Sequence, residues 1–171
     1  MRAWLAIPTL LVVALAACAD QTRPLSNLPS DGTLPPGIPS GAEPIGVRPV
    51  LTGPYSGITD SRRVVIRDGA VWQTFWQEAV GNLLPPPQSP AVDFAQEMVI
   101  AASLGQRPTG GYDISIDAVY EAEGQLFVAV RETAPAPGSI VTQALSAPVA
   151  AVAAPRSDAP VVFVPASAPN P

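Results

Sequence analysis

Histidine and lysine are missing from this chain of 171 residues, and cysteine occurs once, at Cys18. These gaps exclude more than the residues present suggest. Without histidine there is no imidazole base and no imidazole metal ligand; without lysine there is no Schiff-base amine and no phosphate-loop ammonium. A serine nucleophile would therefore lack its usual base. One thiol cannot form an internal disulfide or a cysteine-based zinc site. Positive charge is also scarce, with nine arginines against 14 acidic residues and a formal net charge of -5. No basic patch is available to neutralise phosphates, so no nucleic-acid partner is expected. Aromatics make up 6% and charged residues 13%, while 22 prolines punctuate the chain. No cofactor, no catalytic residue and no metal ligand is expected; an enzyme using its acidic residues is the weakest reading.

What the sequence does contain begins at its N-terminus. Arg2 precedes an apolar run from Ala3 to Ala17, interrupted by Pro8 and Thr9 and closed by Leu15-Ala16-Ala17-Cys18. Small residues before a lone cysteine look like a bacterial lipoprotein signal over residues 1–17. Cleavage before Cys18 would expose an amine and a thiol for acylation, each buried methylene then adding ~0.8 kcal/mol of membrane affinity. The alternative is a short apolar helix with an incidental cysteine. The lipoprotein reading makes membrane lipid a partner through Cys18 and places the protein at the cell envelope. Ala19, in place of an aspartate retention signal, favours an outer membrane facing the periplasm if the organism is Gram-negative.

Residues 18–46 read as a lipid-anchored Pro/Gly-rich linker, since prolines at 24, 29, 35, 36, 39 and 44 cannot sustain a helix or central strand. Ile45, Val47, Val50 and Leu51 could instead begin a coat over the domain. The domain is placed at 47–154, followed by a Pro/Ala-rich tail over 155–171 in which Val161 to Val164 could add an edge strand. Val64-Val65-Ile66 favours a strand, and Asp68 caps a helix whose stripe is Trp72, Phe75, Trp76, Ala79 and Val80. Glu97–Leu104 reads as a strand covered on both faces. Tyr112–Tyr120 alternates, with Ile114, Ile116, Ala118 and Tyr120 on one side and Asp113, Ser115 and Asp117 on the other. Glu121–Gly124 makes a hairpin turn into Gln125–Thr133, and Val149–Ala153 supplies a last strand. The expected fold is α+β, an antiparallel sheet of four or five strands packed by one main helix.

Asp113 and Asp117 lie about 13 Å apart on such a strand, too far for the paired carboxylates of acid/base work. They read as a solvated face, with a weak calcium or glycan contact as the alternative. Glu121 and Glu123 read as hairpin solubility. Trp72 and Trp76 are assigned to the core rather than to a ligand platform. Gly105-Gln106-Arg107-Pro108-Thr109-Gly110-Gly111-Tyr112 is the most specific internal segment. It leads into a strand and lacks dinucleotide-loop spacing, so it is either an architectural turn or a partner-contact loop with Arg107 as a carboxylate fork.

Several motifs in order carry a family resemblance: Val64-Val65-Ile66, Trp72 and Trp76, Val92-Asp93-Phe94, Met98-Val99-Ile100, the segment Gly105 to Ile114, Leu126-Phe127-Val128, Thr133-Ala134-Pro135 and Val141 to Pro148. The chain resembles the C-terminal domain family named after PrcB, a lipoprotein subunit of a spirochaetal protease complex. Ala147 stands where an aromatic residue is expected. The resemblance implies an extracytoplasmic accessory domain that binds an envelope protein, a protease among the candidates, and it implies no catalytic residues. Asp93, Phe94, Arg107, Thr109, Gly110, Gly111 and Tyr112 are the expected contact residues, as one surface. An extracytoplasmic glycan- or cation-binding module using Asp113 and Asp117 is the alternative.

Overall fold

A computed structural model describes residues 34–166. The proposed signal and Cys18 lie outside the described residues. Nine elements follow one another: strands β1 (Glu43–Ile45), β2 (Arg48–Gly53) and β3 (Ser61–Ile66), helix α1 (Gly69–Val80), then β4 (Glu97–Leu104), β5 (Asp113–Ala122), β6 (Gln125–Thr133), β7 (Val149–Pro155) and β8 (Val161–Pro165). The fold is α+β with one helix, and its strands divide into two four-stranded sheets, β1-β5-β6-β8 and β2-β7-β4-β3. All pairings are antiparallel except β6 with β8. The expected single sheet becomes two because β5 and β6 pair with each other and β4 pairs with β3 and β7.

Alternation in β4 explains how the layers stack. Met98, Ile100, Ala102 and Leu104 enter the core between the sheets with Ile114, Ile116, Val119, Leu126 and Val128. Val99 and Ala101 face the other way and pack with Trp72, Phe75, Trp76, Ala79 and Val80 beneath α1. Both faces of β4 are thus covered, as its unbroken apolar run requires. Trp72 is 1% exposed, and its ring lies 5.9 Å from Phe75 and 5.5 Å from Trp76. The tryptophans are core, not a platform. Asp68 caps the helix by accepting from the Ala70 and Val71 amides at 2.8 and 3.1 Å, groups that the first turn leaves without partners.

From Leu34 onward the proline-rich approach packs on the folded body. Leu34, Ile38 and Ala42 pack on Tyr120, Phe127 and Val164 across the outer face of the first sheet, and β1 pairs with β5 from Glu43 onward. Pairing therefore starts before Val47. Pro44 and Pro49 are tolerated because β1 and β2 are edge strands, where a missing N–H costs no ladder bond. In the tail, Val161–Pro165 does form a strand, pairing with β6.

One register shift corrects the sequence reading. Between Ile116 and Ala118 the β5–β6 ladder slips, leaving Asp117 as the extra residue, so the alternation reverses there. Val119 turns into the inter-sheet core, while Ala118 and Tyr120 turn to the outer face instead of joining Ile114 and Ile116.

Candidate functional site

Strand directions sort the connecting loops onto two ends of the molecule. β4 ends at Leu104, paired with Ser61 at the start of β3, and Ser103 pairs with Val149 at the start of β7. Segments 53–60, 105–112 and 134–148 therefore gather at one end, called here the apex. The C-terminus of α1 joins them, since the Gly57 amide donates to the Ala79 carbonyl at 3.0 Å and Arg62 pairs with Glu78. The opposite end, the base, carries the α1 N-terminus, the 121–125 hairpin and the 156–160 connection.

The segment Gly105–Tyr112 is fastened to the 134–148 loop. Arg107 and Ser146 exchange backbone hydrogen bonds of 2.7 and 3.1 Å, the Gly110 amide donates to the Thr142 carbonyl at 2.9 Å, and the Ser146 hydroxyl donates to the Thr109 carbonyl at 2.6 Å. Gly105 has φ +71°, and a Cβ there would lie 2.7 Å from the Ser61 nitrogen; only glycine fits so close an approach. Gly110 and Gly111 are near-neighbours of Thr142 and Val141 in the same way, the latter with φ +84°. The segment is thus an architectural turn, and by holding the longer loop it builds a surface.

That surface is poor in charge and exposes large apolar side chains among neutral polar ones such as Gln106, Thr142 and Gln143. Tyr55 is 52% exposed, Leu84 94% and Leu145 61%, and Ile140 is fully exposed. Tyr55 bridges to Ala147, two residues from Leu145. Segments 53–59, 81–84, 105–112 and 134–148 contain a single charged side chain, Arg107. Asp60 and the exposed Asp113 stand at the rim, where β3 and β5 begin. At the base, by contrast, Glu43, Asp68, Asp93, Glu121, Glu123 and Asp158 are exposed. An exposed apolar patch with a polar rim is the anatomy of a protein-binding face.

The expected contact residues do not form one surface. Arg107, Thr109, Gly110, Gly111 and Tyr112 lie at the apex, whereas Asp93 and Phe94 precede β4 at the base, about 23 Å away along that strand. Their jobs there are local. The Asp93 carbonyl accepts from the Gln96 and Glu97 amides, and Phe94 packs toward the tryptophan core. The sequence reading missed Tyr55, Leu83, Leu84, Ile140 and Leu145. Its available signal was the run from Ala134 to Pro148, which has no charged residue at all.

The carboxylate face reads differently too. Asp117 is 5% exposed and accepts from Arg131 Nε and from the Ser115 hydroxyl, both at 2.7 Å. Its oxygens are committed, so it is not a solvated residue free to bind a ligand. No group of three or more acidic or cysteine side chains converges on a metal position among the described residues. A groove of about 1050 Å³ opens between β3, β6 and β8, lined by Arg62, Arg63, Arg131, Glu132 and Phe163. Its ion pairs, Arg63 with Glu132 and Arg131 with Asp117, are closed within the fold.

Residues 98–155 match the PrcB C-terminal family. The PrcB C-terminal match runs from the second residue of β4 to the last of β7, so it contains the central strand pair of each sheet and the apical loops 105–112 and 134–148, but not 53–60 or 81–84. Helix α1, the edge strands β1, β2, β3 and β8, and Asp93 and Phe94 fall outside it. No curated protein and no solved structure matches the chain.

Proposed function

We propose that this protein is a membrane-tethered, non-enzymatic accessory domain that binds another protein of the cell envelope through its apex, with a protease as the partner class. The observation that carries the reading is the apex itself: a loop-built surface with exposed apolar side chains and little charge, whose loops 105–112 and 134–148 lie within the segment that matches the PrcB C-terminal family. The family match supports protease association. The tether rests on the lipoprotein-like run ending at Cys18, and with it the location at the envelope, on an outer membrane facing the periplasm in a Gram-negative cell. Binding would stabilise or modulate the partner without chemistry of its own.

Co-purification from detergent-solubilised envelopes tests this. The wild-type protein is expected to recover a partner, and the Ile140→Ser/Leu145→Ser variant to recover it at least tenfold less, because both side chains are solvent-exposed and their loss leaves the core untouched. Glu123→Gln, at the base, should behave as wild type. Equal recovery by all three, or no partner with any, would count against apical binding. For the anchor, intact mass of wild type and Cys18→Ser decides: lipid mass is expected on the first and absent from the second.

A further inference from the structure

Seven arginines fall within the described residues, and six of them are engaged. Arg48, Arg62, Arg63, Arg67 and Arg131 meet carboxylates, and Arg156 donates to the Arg67 and Phe94 carbonyls. Arg107 alone makes no ion pair and no side-chain hydrogen bond to another described residue. Its guanidinium carbon sits 5.7 Å from the centre of the Tyr112 ring, and its Nε is already shielded from solvent without a partner. It is also the only charged side chain in segments 53–59, 81–84, 105–112 and 134–148. The fold has pre-positioned one cation, stacked on an aromatic face, on a surface whose nearest acids in sequence, Asp60 and Asp113, stand at the rim.

We infer that the apical partner is a protein face that is apolar except for one aspartate or glutamate side chain, which docks on Arg107. This inference rests on the apical binding reading and specifies what the partner must offer. Covering the apex with an apolar surface would desolvate the guanidinium, and a buried charge without a counter-charge is strongly unfavourable. A carboxylate removes that penalty, and the planar fork of arginine accepts it in two-pronged geometry. Neither a lipid surface nor a second copy satisfies the same requirement as well. An apex-to-apex pair of copies brings two Arg107 side chains together, with Asp60 and Asp113 only at the rim.

Site-specific photo-crosslinking tests the inference in the full-length, membrane-bound protein. A benzophenone side chain at position 145 is irradiated in intact envelopes, and the attachment point on the partner is mapped by mass spectrometry. Arg107→Gln should lower adduct yield at least tenfold and Arg107→Lys by less, with unchanged thermal midpoints. The mapped face should hold an Asp or Glu. Replacing that acid with Arg should abolish the adduct, and Arg107→Glu should restore it. Should Arg107→Gln fail to fold, the wild-type adduct must still weaken as salt is raised, because a charge pair is screened as it forms. Protein adducts that are indifferent to Arg107 and salt, or a mapped face with no acid, would overturn this inference while leaving apical binding intact. Adducts only to lipid, only to a second copy, or none at all would overturn both.

Discussion

At the scale of single residues, six of the seven described arginines are tied into the fold and Arg107 is left over. Asp117 is one of the anchors. Its place in the β5 bulge buries it, and Arg131 and Ser115 then satisfy its oxygens. Asp117→Ala strands Arg131, which is 30% exposed and so partly relieved by water; a loss of about 2 kcal/mol is expected by denaturant unfolding. Tyr120 lies next to this pair. Burial, and secondarily the Asp117 charge, push its phenol above the usual 10.0. The fold thus favours the neutral phenol, and the associated stability is present below pH 10 and lost as pH rises through the raised value. The thermal midpoint of wild type should fall more steeply above pH 10 than that of Tyr120→Phe. Gly105 is a third case, because a Cβ there would meet three backbone atoms of the Thr59–Ser61 stretch. Gly105→Ala is expected to cost about 2–4 kcal/mol. Gly111→Ala should cost less, since its nearest obstacle is the Val141 side chain, and it should shift the apical loop instead. None of the Asp117 chemistry was legible from alternation, because a bulge is a one-residue event that no periodicity signals.

At the scale of elements, legibility followed burial. Helix α1 and strands β4 and β6 were readable because each has an apolar face that must be covered, and coverage imposes a period on the sequence. Asp68 announced the helix start, and Asp68→Ala should lower stability by about 1 kcal/mol in thermal unfolding. The edge strands β1 and β2 were not readable. Pro44 and Pro49 mark a linker when strands are imagined in the middle of a sheet, yet an edge strand has a side on which no N–H is needed. The apical loops were half readable. Their glycines and prolines declared turns, but which exposed side chains end up beside Arg107 depends on the 134–148 loop being tied to 105–112 across more than thirty intervening residues, through contacts such as Gly110 to Thr142.

At the scale of the whole molecule, the two ends differ in kind. The base carries the hairpin acids, the helix cap and the 156–160 connection, and the sides are closed by α1 on one face and by the 34–42 coat on the other. That coat belongs to the folded body. A protein beginning at Val47 loses β1 and uncovers Tyr120 and Phe127, and it should unfold with a stability lower by about 2–3 kcal/mol than one beginning at Leu34, from the apolar area of Leu34 and Ile38 alone. The apex is the part of the surface that exposes apolar side chains and little charge, with Arg107 as its one unpaired cation among the described residues. Such a surface is costly to leave in water and is explained by something that covers it. Hydroxyl-radical footprinting of the protein in intact envelopes, against the purified protein, reads that cover side chain by side chain. Tyr55, Leu84, Ile140 and Leu145 should be oxidised several-fold less in the envelope, while Val71 and Val162, exposed apolar residues away from the apex, should react equally in both. Equal reactivity at all six positions, or protection at Val71 and Val162 instead, would contradict the assignment of the apex as the binding face.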